Sequence, residues 1–245
     1  MVGGVVAMAP KKRIYLGFDF ETANLPTTLS PAFPIEMAAI LIDAHSLQII
    51  NTYHTYIKLA DGVIMEKKAL ETHGHTEEFL NNAGEDFWIV RDNFITWLAA
   101  NGHLVPDGGG WDAERSGKLI PFGQNVVQFD TPILRKLLGT PAEEILSRYS
   151  VDTMYIADFI NQAAFKMYGG DGFIFRDPVT NNPSANLAAQ MATLGIDNKG
   201  QHGALFDIIS TLECYRKHIE NYCEDMKKSS AFDAAGMTLP PLPRY

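Results

Sequence analysis

The residues best able to do chemistry in this chain are four acids and a histidine from three separated stretches. They are Asp19 and Glu21 in IYLGFDFET, Asp130 in NVVQFDTPIL, and His202 and Asp207 in QHGALFD. The first stretch alternates as a strand does, with Ile14, Leu16, Phe18 and Phe20 on one face and Tyr15, Gly17, Asp19 and Glu21 on the other. Two carboxylates side by side on a partly buried face repel unless a cation or a raised pKa relieves them, and a divalent metal is the direct relief. Hard oxygen ligands suit magnesium or manganese, whereas Cys214 and Cys223 offer no thiolate zinc spacing. The plainer reading makes Asp19 and Glu21 surface acids at a strand end, so partners elsewhere must decide. Asp130 stands at a predicted helix start, where it serves either the site or a simple N-cap before Thr131 and Pro132. Asp207 falls in the first turn of another predicted helix, where the helix dipole favours the ionised form. His202 precedes Asp207 by five residues. On one continuous helix the two side chains would diverge by about 140°. They converge only if His202 sits on the loop before the helix, which Gly203 permits. A histidine beside a metal carboxylate can deprotonate a water.

The elements that must position these groups follow from the pattern around them. Residues 33–43 and 47–57 read as strands joined by a turn at 44–46, giving an antiparallel meander with the first strand. Two short helical pieces broken at Gly74 precede an amphipathic helix over 85–100, whose aromatic stripe belongs to a core. Residues 102–118, with Pro106, three glycines and Trp111, predict an irregular loop, and 119–123 a short strand. A helix carrying Pro132 in its first turn runs to Gly139, a short one follows at 142–146, and others are predicted over 152–168, 184–194 and 203–223. A second irregular segment, 169–183, holds Phe173, Phe175 and Arg176, which could stack on a base or tuck onto the core. Strands first, then alternating strand and helix, predict an α/β fold: a mixed sheet flanked by helices in a single domain. Of 245 residues, 46% are hydrophobic and 20% charged, ample for one globular core. The apolar runs are too short for a membrane span, residues 1–12 read as a loose leader and 225–245 as a tail, and the sparse cysteines favour a reducing, cytoplasmic setting. The net charge of −9 argues against a long electrostatic grip on duplex and favours a short nucleic-acid end, with metals neutralising phosphate.

GFDFETA, FGQNVVQFDTPIL and HGALFD, in that order, resemble the motifs of the DEDDh group of 3′-to-5′ exonucleases, which includes the proofreading subunit of bacterial DNA polymerase III and ribonuclease T. The likeness extends over roughly residues 13–223 and includes ALETHGHTEEFL and LAAQMATLGI. It implies a ribonuclease H-like mixed five-stranded sheet, with 13–224 as the exonuclease domain. It also implies two divalent ions, Mg2+ or Mn2+, with Asp19 bridging both, Glu21 and Asp207 completing the first site, Asp130 serving the second through water, and His202 as general base. By the same analogy Thr22, Ala23, His73, Asn125 and Phe129 line the pocket of the terminal nucleotide. The implied activity is release of nucleoside 5′-monophosphates from the 3′ end of DNA or RNA. The implied partners are single-stranded 3′ ends, a polymerase or another replication or repair protein, and no membrane. Gln124 departs from the histidine or tyrosine common at its place, and the two irregular segments exceed a minimal member. Two rival readings are a haloacid dehalogenase-type phosphatase, for which Glu21 is the wrong second residue, and a noncatalytic nucleic-acid-binding module on the same fold.

Overall fold

A computed structural model describes residues 13–26, 32–103, 105–107, 110–112, 117–169, 172–199 and 202–234. The sequence between Arg13 and Asp43 builds the centre of the sheet. Strand β1 (Ile14–Thr22) pairs antiparallel with β2 (Pro34–Asp43), and β2 pairs antiparallel with β3 (Ile49–Tyr56). The register sets Asp19 opposite Ala38 and Glu21 opposite Glu36. Helices α1 (Lys67–His73) and α2 (Glu77–Ala83) meet at Gly74, whose φ of 75° makes the left-handed cap of α1. Thr76 caps α2 by accepting from the Phe79 N–H, as its place before two glutamates predicts. The long α3 (Phe87–Ala100) follows. Within 102–118, expected to be irregular, β4 (Val105–Asp107) and β5 (Gly110–Asp112) pair as a two-stranded ribbon.

Next comes β6 (Ile120–Gly123), parallel to β1, then α4 (Asp130–Leu138), α5 (Pro141–Ile145) and β7 (Val151–Asp152), parallel to β6. The five-stranded sheet therefore has the order β3-β2-β1-β6-β7. The chain closes with α6 (Thr153–Tyr168), α7 (Leu187–Leu194) and α8 (Ala204–Ala234). α8 runs on past Cys223, the end expected for that helix. α7 starts later than predicted because Asn186 caps it, accepting from the Ala189 N–H. The expected leader, and the tail beyond Ala234, lie outside the described residues. Among those described, no helix is long and apolar enough to cross a membrane.

The two faces of β1 explain the layering. Leu16, Phe18 and Phe20 pack with Phe94 and Leu98 of α3 and with Ile133, Leu134 and Leu137 of α4 in the main core. On the other face Ile40 and Phe122 meet Ile208 and Leu212 of α8. Gly17 lies on this second face for a reason of space. A Cβ there would stand 2.9 Å from Ile40 Cγ1 and 3.2 Å from Ile208 Cγ1, so its absence lets α8 close onto the strand that carries the acids.

Candidate active site

The C-terminal half of β1 and the first turn of α8 bring three acids together. Ligand oxygens of Asp19, Glu21 and Asp207 all lie within 4.8 Å of one another. Asp130 joins from the other side. β6 pairs only with Tyr15 to Gly17, which leaves the Phe20 N–H without a partner on that flank, and Asp130 Oδ1 accepts it at 3.1 Å. Asp130 is therefore the first residue of α4 and is buried, its carboxylate spent on β1 and not on capping its own helix. His202 sits outside α8 at φ 72°, and its N–H reaches Asp207 Oδ1 at 3.4 Å. The loop placement needed for His202 and Asp207 to converge is thus met.

The electrostatics record the crowding. Burial, then the charges of Asp130, Glu21 and Asp207, raises the Asp19 pKa well above the ordinary carboxylate range. Burial and the charges of Asp207 and Glu36 lift Glu21 to about 8, and burial lifts Asp207 to about 6 against the pull of the His202 N–H. Asp130 is raised as well, by burial and by Glu21 and Asp152, with the Phe20 N–H opposing. Acids that repel one another this strongly with their oxygens converged are a donor set that a hard divalent cation fits.

Sequence reasoning missed Glu36. It is 2% exposed, and its two oxygens lie 2.7 Å from His54 Nε2 and 2.7 Å from His75 Nε2. Burial alone would raise its pKa, but the imidazole hydrogen bonds prevail and hold it below the usual value. The available signal was an acid inside the apolar run PIEMAAILI, since a charge buried in a strand needs a partner. Asp152, the first residue of the helix predicted over 152–168, has a second task. Beyond capping α6 at Met154, it accepts from the Asn125 N–H at 2.9 Å and the Val127 N–H at 3.2 Å. It thereby holds the loop that delivers Asp130, in which Asn125 takes φ 56°.

Among the residues expected around the terminal nucleotide, Thr22 and His73 line a cavity of about 130 Å³ together with Glu21, Asn24 and Leu25. Ala23 does not line it. Its side chain is buried with Ile35 and Leu80, while its backbone bonds Phe33 and Glu66. Asn125 and Phe129 belong to the β6–α4 loop beside Asp130, and Phe129 packs partly against the main core. Gln124 turns away into a buried polar network, donating to the Ala185 carbonyl and accepting from Thr153 and from Gln190, which in turn meets His218. In segment 169–183 the tucked arrangement holds. Phe175 is 2% exposed, Phe173 stacks on Phe165 of α6, and Asn161 Oδ1 accepts the N–H groups of Ile174 and Phe175. Phe175 is therefore unable to meet a base. A larger cavity of about 450 Å³ is lined by Ile174, Leu194, His218 and Tyr222; His218 lies about 16 Å along α8 from Asp207, at 1.5 Å per residue.

A mixed sheet of this order, with acids clustered at the end of its first strand, defines a ribonuclease H-like nuclease. The chain belongs to the exonuclease family, of the DEDDh type, whose sequence model matches residues 16–215. That membership sets aside the haloacid dehalogenase reading. Solved structures of Escherichia coli exonuclease I show the same fold. The complex with a dT13 oligonucleotide superimposes with a TM-score of 0.66 at 18% identity, covering 89% of this chain and 43% of that one. The product-bound form gives 0.62 at 18% identity over 84% and 43%, and the zinc-bound form with single-stranded DNA gives 0.59 at 19% over 82% and 39%. The chain thus spans about two fifths of the length of these structures. No curated protein sequence gives a match.

Proposed function

We propose that this chain is a 3′-to-5′ exonuclease that releases nucleoside 5′-monophosphates from the free 3′ end of single-stranded DNA or RNA. The observation that carries the reading is the convergence of Asp19, Glu21 and Asp207 within 4.8 Å, with Asp130 bound to the same strand. These four acids would hold two magnesium or manganese ions, which when bound supply charge neutralisation at the scissile phosphate and a more acidic water. His202 takes the proton of the attacking water at an imidazole nitrogen. Its exposed place on the loop ahead of α8, with its backbone N–H at Asp207 Oδ1, supports that role. Thr22 and His73, which line a cavity with Glu21, receive the terminal nucleotide, and Asn125 and Phe129 of the β6–α4 loop beside Asp130 are assigned to the same pocket. Single-stranded substrate is supported by the exonuclease I complexes with oligonucleotide. A replication or repair protein as partner is supported by the exonuclease I complex with an SSB C-terminus. A cytoplasmic site of action belongs to the same proposal, in keeping with the free thiols of Cys214 and Cys223.

The test is side-by-side digestion of 5′-labelled single-stranded DNA, duplex DNA and short RNA with magnesium or manganese. Stepwise shortening from the 3′ end and release of 5′-monophosphates are expected. Asp19→Ala should abolish turnover. His202→Ala should lower kcat by about 10²–10⁴-fold while sparing metal and substrate binding. Parent-like rates in His202→Ala would remove the assigned base, and metal-independent or internal cleavage would remove the whole reading.

A further inference from the structure

Behind the cavity that Thr22 and His73 line stands a chain of contacts that catalysis by the four acids does not require. His73 is 9% exposed, its Nδ1 accepts the His75 backbone N–H at 2.9 Å, and its Nε2 is buried without a well-formed hydrogen bond in the protein. A nitrogen that accepts a backbone N–H carries no proton, so the neutral ring must hold its proton on Nε2. Burial, followed by the neighbouring His75, pushes the His73 pKa down to about 4, so the ring is neutral at any ordinary working pH. The Thr22 backbone, which takes a weak hydrogen bond from the ring, also favours a proton on that nitrogen. His73 is thus a fixed, uncharged ring that lines the cavity, with its Nε2–H turned to the protein.

What fixes it is the ring of His75. That ring lies flat between two others, 5.1 Å from His73 at 20° and 5.4 Å from Phe79 at 20°, while Tyr56 meets it edge-on at 5.2 Å. Its rotation is stopped by Glu36, which receives His75 Nε2 on one oxygen and His54 Nε2 on the other. Glu36 is buried and ionised, so it can only accept, and both imidazoles must present N–H to it. A lone buried carboxylate would be costly directly opposite Glu21; two donors make it tolerable and turn it into a clamp.

We propose that Glu36, braced by His54, is a positioning residue that locks His75 and through it holds the neutral His73 ring as a fixed wall of the terminal-nucleotide cavity. The inference rests on the exonuclease reading, and the two can fail separately. The first measurement needs no activity: the 15N chemical shifts of the histidine side chains in the metal-free protein at pH 7. They should place a proton on Nε2 of His73, His75 and His54. Glu36→Gln offers one acceptor oxygen and one donor nitrogen in place of two acceptors, so one imidazole must flip its tautomer. The expected signature is a tautomer change at His54 or His75, with KM for a single-stranded oligonucleotide raised about tenfold and kcat within about twofold of the parent. His75→Phe keeps the stack and the backbone N–H to His73 but loses the link to Glu36, and should raise KM by a smaller factor. His73 found as the Nδ1–H tautomer, or KM unchanged in Glu36→Gln with the fold intact, overturns the clamp. A parent protein without nuclease activity but with the expected tautomers would overturn the exonuclease reading instead.

Discussion

Removing Glu21's charge tests whether the acid cluster is strained without a cation. Glu21 is lifted from an ordinary value of 4.5 to about 8, by burial first and then by Asp207 and Glu36. For an acid whose folded pKa is raised, the stabilising protonated form is fully present below the unfolded pKa. That contribution is lost as pH climbs through the folded one. The metal-free protein should therefore lose stability from Glu21 between about pH 4.5 and pH 8. At about 1.36 kcal/mol per pH unit, that interval caps the penalty at about 5 kcal/mol. Glu21 is only partly buried, and solvent screening brings a realistic figure to about 2 kcal/mol. For a chain of this size about 2 kcal/mol corresponds to roughly 5 °C in Tm. Thermal unfolding in EDTA should show Glu21→Gln more stable than the parent by about that amount at pH 8, with the difference vanishing at pH 4. Added Mn2+ should raise the parent's Tm and the variant's much less. A variant equal to or less stable than the parent at pH 8 without metal would refute the argument, because the carboxylate would then be relieved by something other than a cation.

Two further outcomes follow from the packing. Gly17→Val puts a branched side chain where a Cβ already meets Ile40 at 2.9 Å and Ile208 at 3.2 Å, so α8 must shift. The cost should be about 1–3 kcal/mol in urea unfolding, and metal-induced stabilisation should fall because Asp207 moves with the helix. Phe175→Ala empties a site 2% exposed between α6 and α7, and should cost about 3–5 kcal/mol while leaving KM for oligonucleotide unchanged below its melting range. A raised KM without a stability loss would restore the base-stacking role.

The candidate site was legible in the sequence where local pattern carries chemistry. Period-two alternation put Asp19 and Glu21 on one face of β1, and the left-handed His202 ahead of α8 is what a five-residue interval to Asp207 requires. Three family motifs in order supplied the fold and the fourth acid. What local pattern could not carry was the state of side chains buried by distant elements. Whether Asp130 caps its own helix or reaches for Phe20 depends on β6 pairing no further than Gly17. Phe175 looks like a base platform in a glycine-flanked loop until Asn161 pins it to the core. Gln124, which stands where the family often has histidine or tyrosine, is claimed by Thr153 and Gln190. Glu36, His54 and His75 are separated by 18 and 39 residues and meet only through sheet register and the α1–α2 turn. The sequence by itself thus determined that the acids of β1 share a face and that Asp207 stands at a helix start, because periodicity and helix starts are short-range. The partners that hold them were decided by tertiary structure alone, because a buried polar group pairs with whatever long-range packing brings within about 3 Å.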